Sequence, residues 1–182
     1  IAAVVGGALM YAVHKAASRM AKEEYGVFAT MLQMLTLMTI PAIGLQTVVM
    51  RQTVAATTDP LRRQLSQAVR RLLQGTGLIW LVGLLAVGIW QGRVVESFKA
   101  SNPATIWLTA AWGVWVFWLP IYVGILQGQQ NFLWMGWVSI LGGATRLAAI
   151  IVFVVWLGMQ AAGACLGVLV QVALAGILAG WL

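Results

Sequence analysis

Of the 182 residues, 62% are hydrophobic and only 8% charged, against about a quarter charged in a soluble domain, so composition excludes a water-soluble globule. The net charge of +7 falls mostly between apolar runs, where basic residues follow membrane orientation and anionic headgroups, and nucleic acid is excluded as a partner. A single cysteine, Cys165, excludes both a disulfide framework and a cysteine metal site.

A helix needs about 20 mostly apolar residues to cross the hydrocarbon. That rule divides the chain into six candidate spans, at about 1–17, 25–50, 72–90, 104–128, 132–158 and 161–182, and the fold class is an all-α polytopic membrane protein. None of the runs alternates polar and apolar residues as the strands of an outer-membrane barrel do. The first run has no basic region before it and more apolar runs after it, which argues against a cleaved signal peptide. Both ends read as truncated, since the chain starts at Ile1 and stops at Leu182 within apolar runs.

On a helical wheel, Gln33, Thr36, Thr39, Gln46 and Thr47 of the second span fall within an arc of roughly 140°. Leu32, Ile40 and Ile43 share that arc, so the stripe serves either a hydrophilic passage or hydrogen bonds between helices. Pro41 in this span and Pro120 in the fourth each remove a helical hydrogen bond and are hinge candidates.

After "TTDP", Asp59 is an N-cap candidate with Pro60 at the first helical position. The following "LRRQLSQAVRRLLQG" sets Leu61, Leu65, Val69, Leu72 and Leu73 on one face and Arg62, Arg63, Arg70 and Arg71 on the other. That pattern predicts a basic interfacial helix over about 60–74, resting on the membrane surface, with Gly75 turning the chain into the third span. The arginines place this segment in the cytoplasm, although Lys15, Arg19, Lys22, Arg93 and Lys99 weigh against it from the opposite side.

Ten tryptophans occur. Trp80, Trp90, Trp107, Trp134, Trp156 and Trp181 fall near proposed span boundaries, where an indole can be half wet. Trp112, Trp115 and Trp118 lie deeper in the fourth span and are expected to pack toward lipid, with a sugar-stacking surface as the alternative.

Arg146 stands in "ILGGATRLAAIIVFVVWLG", close to the middle of the fifth span. At about 1.5 Å per residue it lies roughly 18 Å from Gly158 and about 21 Å from Phe132, too deep for easy snorkelling. An arginine at that depth costs at least about 2.5–3.5 kcal/mol and normally faces a cavity or a partner. Ser139, Gly142 and Gly143 share its face and permit close helix contact or open space beside it. The guanidinium is therefore either held by backbone carbonyls or a carboxylate, or turned to a central chamber where it attracts a phosphate-bearing lipid headgroup.

No Asp or Glu lies within a proposed span. His14, at the end of the first span, reads as a boundary residue. A metal cluster, an acid–base carboxylate pair, a nucleophile with its base and a phosphate-cradling loop are all missing, so no metal, no cofactor and no enzymatic activity is expected.

"KEEYGVFATMLQMLTLMTIPAIGLQTVVMRQ" (22–52) resembles the amino-terminal part of the bacterial polysaccharide-biosynthesis membrane proteins. These are the lipid-linked oligosaccharide flippases of the multidrug, oligosaccharidyl-lipid and polysaccharide exporter superfamily. "GILQGQQNF" (124–132) is similar to that family's turn between its fourth and fifth helices, and "TRLAAIIVFVVWLGMQAAGACLGVLV" (145–170) to its fifth and sixth. The resemblance implies one six-helix lobe of a MATE-like transporter of 12 to 14 helices, with a cavity between two lobes that alternately faces the two sides of the bacterial inner membrane. It implies a lipid-linked glycan of the undecaprenyl-pyrophosphate type as substrate, with polysaccharide-assembly proteins and membrane lipids as partners. Arg146 matches in kind the cationic residues of that cavity, and Gln33, Thr36, Thr39 and Gln46 are expected beside it. A cation-coupled multidrug exporter of the same superfamily is the nearest rival, favoured by an intramembrane carboxylate. A membrane-embedded glycan-assembly enzyme and a non-transporting scaffold are the others.

Overall fold

The computed structural model describes residues 2–98 and 103–181; Ile1, Lys99 and Leu182 lie outside them, as does the side chain of Trp181. The described chain is helical throughout: α1 (Ala2–Ala17), α2 (Lys22–Ala55), α3 (Asp59–Ile89), α4 (Gln91–Phe98), α5 (Pro103–Gly128), α6 (Phe132–Ile150), a π-helical turn (Ile151–Trp156) and α7 (Gln160–Trp181). Among the described residues, five helices are long and apolar enough to cross a membrane: α2, α3, α5, α6 with its π-helical turn, and α7. The chain is a multi-pass membrane protein.

The order of residues at the helix contacts gives the topology. A Cβ on Gly124 would meet Gln46 and one on Gly128 would meet Thr53, so α2 and α5 run parallel. Likewise Gly176 and Gly180 of α7 receive Trp115 and Tyr122 of α5, again in parallel order. Gly167 and Gly163 meet Ile150 and Phe153, which makes α6 and α7 antiparallel. Lipid offers no hydrophobic drive for helix association, so close backbone approach at small residues holds such a bundle. The core gathers Val13 of α1, Phe28 and Leu35 of α2, Trp112 of α5, Ile150 of α6, and Ala164, Cys165 and Val168 of α7. By contrast Leu78, Ile79, Val82 and Leu85 of α3 are exposed, and no residue of that helix is buried. An apolar helix with no protein cover is what hydrocarbon stabilises.

Two expectations are corrected here, and one element is added. Gly75 does not turn the chain, because α3 continues without a break from Asp59 to Ile89, 31 residues in all. A glycine inside a helix costs only about 1 kcal/mol relative to alanine, and the next residue, Thr76, bonds back to Leu72 O at 2.8 Å. The basic stretch and the third span thus form one rod of about 46 Å, longer than the roughly 30 Å hydrocarbon, and the arginine-bearing end projects from the span instead of forming a separate surface helix. The N-cap is Thr58 rather than Asp59, which moves Asp59 into the first turn, where its charge suits the helix dipole. Between the third and fourth spans stands an additional helix, α4, whose Val94, Val95 and Phe98 pack on Met31 and Ile106.

Candidate functional site

A cavity of about 540 Å3 opens between the helices, lined by His14, Tyr25, Gln33, Thr36, Thr39, Trp112, Trp115, Pro120 and Arg146 among others. Each wall has a local cause. Position 146 follows Gly142 and Gly143 by one turn, and those glycines are used for helix contact: a Cβ on Gly142 would lie 3.5 Å from Gln171 Nε2, and one on Gly143 would lie 3.0 Å from Leu9 Cδ1. Packing α1 and α7 so closely onto α6 partly buries Arg146 while its side chain still lines the cavity. Among the described residues, its Nε and Nη2 are buried without a hydrogen-bond partner, as is Oε1 of Gln171. A buried donor left unpaired normally costs about 1–3 kcal/mol, more for a charged group.

Opposite, α2 presents polar positions at helical spacing. Thr36 Oγ1 donates to Leu32 O at 2.8 Å and Thr39 Oγ1 to Thr36 O at 2.5 Å, which occupies the hydroxyl protons and leaves oxygen lone pairs toward the cavity. Gln33 is exposed and carries both donors and an acceptor. Thr39, seventeen residues into α2, and Pro120, seventeen into α5, lie about 26 Å from the helix starts, at the middle of the longer α2 and about two-thirds of the way along α5. The cavity therefore runs from the α1–α2 end of the lobe to mid-depth.

Below that depth the two parallel helices close. Gln46 Nε2 donates to Gln127 Oε1 at 2.9 Å, and a Cβ on Gly124 would lie 2.6 Å from Gln46 O. Gln46, expected among the lining residues, joins helices instead, because glycines at 124 and 128 bring the backbones too close for space between them. Pro41 is likewise absent from the lining, on an exposed part of α2. The structure thus brings Arg146, Gln33, Thr36, Thr39 and Pro120 together and leaves Gln46 and Pro41 outside. Arg62, Arg63, Arg70 and Arg71 are all exposed at the far end of α3.

Sequence reasoning missed two contributors. His14 is not a bare boundary residue: its Nδ1 lies 3.3 Å from Tyr25 Oη, and both line the cavity. The signal was the turn of only four residues between α1 and α2, which forces the end of one helix against the start of the next. The tryptophans of α5 were expected to face lipid, yet Trp112 is buried at 5% exposure and lines the cavity with Trp115. Trp115 stacks edge-on with Trp118 at 5.5 Å, and Trp118 Nε1 donates to Thr76 Oγ1 at 3.2 Å. An indole N–H buried at this depth needs an acceptor, and only the protein side offers one. Trp80, placed near a boundary by sequence, sits between helices for the same reason, donating to Ala110 O at 2.6 Å.

This arrangement of helices has known counterparts. The chain superimposes on a MATE protein crystallised in complex with MaD3S with a TM-score of 0.80, over 99% of this chain and 42% of that one, at 12% identity. The fold is that of a MATE lobe. A second likeness, to the outward-facing conformation of a multidrug resistance MATE family transporter of the MOP superfamily, has a TM-score of 0.75 over 97% of this chain and 42% of that one, also at 12% identity. The chain thus spans less than half the length of the MATE structures it matches. No family model and no curated protein matches the sequence.

Proposed function

We propose that the chain is one lobe of a transporter that moves a lipid-linked oligosaccharide or polysaccharide precursor across the bacterial cytoplasmic membrane by alternating access. The observation that carries this reading is Arg146: a guanidinium near mid-span, with buried unpaired donors, in the wall of a 540 Å3 cavity. Phosphate oxygens of a pyrophosphate-linked glycan would satisfy those donors by charge-assisted hydrogen bonds. Trp115 offers indole surface to a sugar face, and the lone pairs of Thr36 and Thr39 accept from sugar hydroxyls. The lipid tail stays in the bilayer, and rocking of two lobes about a bound headgroup would exchange access, as in other repeat-built transporters. Polysaccharide-assembly proteins would supply and take up the glycan. None of these steps makes or breaks a covalent bond.

In the full-length protein, Arg146→Ala is expected to abolish glycan export in a complementation assay at unchanged membrane abundance, while Arg146→Lys retains part of it. The charge survives in lysine but the forked geometry does not. Export equal to that of the parent in Arg146→Ala would remove the guanidinium from the mechanism. A second reading, a cation-coupled multidrug exporter, is favoured by the likeness to the multidrug resistance transporter. The two readings separate on charge, because Arg146 repels the cationic drugs that such an exporter would carry and, among the described residues, no carboxylate lines the cavity. Resistance to cationic drugs that survives Arg146→Ala, together with lost dependence of glycan export on this gene, would select the exporter.

A further inference from the structure

At the opposite end of the lobe, α2 ends at Ala55 and α3 begins at Asp59, beside the turn between Gly128 of α5 and Phe132 of α6. A second cavity, of about 800 Å3, lies between these two turns. Arg62, Gln129 and Gln130 line its polar part. Its apolar wall is built by Leu65 and Val69 of α3 with Ile125 of α5. Among the described residues no acidic side chain lines it. Arg62 Nε donates to Ala56 O at 3.4 Å, which ties the side chain across the turn and leaves its Nη donors for a ligand. The remaining arginines of this helix end, Arg63, Arg70 and Arg71, are exposed and outside the lining.

We propose that this cavity binds one anionic phospholipid of the surrounding leaflet. The reasoning is charge complementarity at a fixed depth. The site sits where two spans leave the hydrocarbon, so its polar part meets headgroups and its aliphatic wall meets acyl chain. Basic pockets between membrane helices hold phosphate headgroups in this way. Arg62 takes the phosphate, and the amides of Gln129 and Gln130 take the hydroxyls of a glycerol headgroup. The lipid would clamp the α2–α3 turn to the α5–α6 turn. The site is separate from the Arg146 cavity and does not depend on what that cavity carries.

The test uses the full-length protein purified in mild detergent, stripped of lipid, then offered phosphatidylglycerol or phosphatidylcholine, with retained lipid counted by native mass spectrometry. Phosphatidylglycerol is expected to be retained at one molecule per chain and phosphatidylcholine not. Arg62→Gln should lower retention about tenfold, the usual size of a lost charged hydrogen bond. Val69→Trp should lower it comparably by filling the cavity without changing charge, and so tests the site even if Arg62→Gln folds poorly. Arg63→Gln, outside the lining, should leave retention within about twofold of the parent, as expected for a screened surface charge. Equal loss in Arg63→Gln would mean diffuse surface attraction and overturn the site. So would full retention in Val69→Trp, equal retention of phosphatidylcholine, or displacement of the lipid by inorganic phosphate.

Discussion

Gly113 and Gly176 are the positions where a single methyl group would disturb most. The ring of Trp80 occupies the space of a Cβ at Gly113, and the ring of Trp115 does so at Gly176. Gly113→Ala must therefore displace an indole that is also fixed by its bond to Ala110 O, and overpacking of this kind costs about 1–3 kcal/mol. A lower melting temperature in detergent is the expected result. Gly75 has nothing within 4 Å of its Cβ position and lies inside α3, so Gly75→Ala should raise stability by about 0.5–1 kcal/mol through helix propensity alone. The opposite signs of two like substitutions form one prediction, and a stabilised Gly113→Ala would mean that the Trp80 ring does not sit where it is placed here.

Between elements, the parallel pair α2 and α5 sets how deep the cavity reaches. Gly124 and Gly128 let the backbones approach, and Gln46 and Gln127 share the hydrogen bond that this approach makes possible. Such bonds between membrane helices contribute about 0.6 kcal/mol on average. A double-mutant cycle of Gln46→Leu and Gln127→Leu, read by unfolding in denaturing detergent, should give a coupling of about that size. Coupling indistinguishable from zero would mean that the two amides do not meet. Gly124→Leu is the stronger perturbation, since its side chain would meet the backbone of Gln46, and it should lower the yield of folded protein. The other end of α2 is held differently. Ala21 N donates to Gln160 Oε1 and Ala161 N to Glu24 Oε2, each at 3.3 Å, so the start of α2 and the start of α7 cap each other. Periodicity gives Glu24 no partner, because the group it meets lies 137 positions away.

At the scale of the whole molecule, one surface is apolar and exposed while another is a polar-lined cavity. Leu78 and Val82 of α3 are 64% and 66% exposed in an apolar span, whereas Thr36 is exposed toward the Arg146 cavity. The native Cys165 is buried and supplies a quiet background for thiol chemistry. Thr36→Cys should react with a charged, membrane-impermeant thiol reagent, and Leu78→Cys and Val82→Cys should not, although both are more exposed than any core residue. Labelling of Val82→Cys at the rate of Thr36→Cys would place α3 beside water and refute the division of surfaces.

Composition and run length alone determined that this chain is helical, lies in a membrane and crosses it repeatedly, because twenty apolar residues in hydrocarbon have no satisfied state other than a helix. They also marked Arg146, since a charge at mid-span is too costly to be incidental. Periodicity could not say which way a face turns when every face is apolar: whether Trp112 meets lipid or protein, or whether Gln46 lines a passage or ties two helices, depends on a partner helix distant in sequence. Gly75 showed the same limit, as glycine permits a turn and permits a helix equally. Only the tertiary structure decided these cases, through where backbones approach at Gly124, Gly128 and Gly176. In a bundle with little hydrophobic contrast between neighbours and solvent, the fit of small residues against large ones chooses the packing.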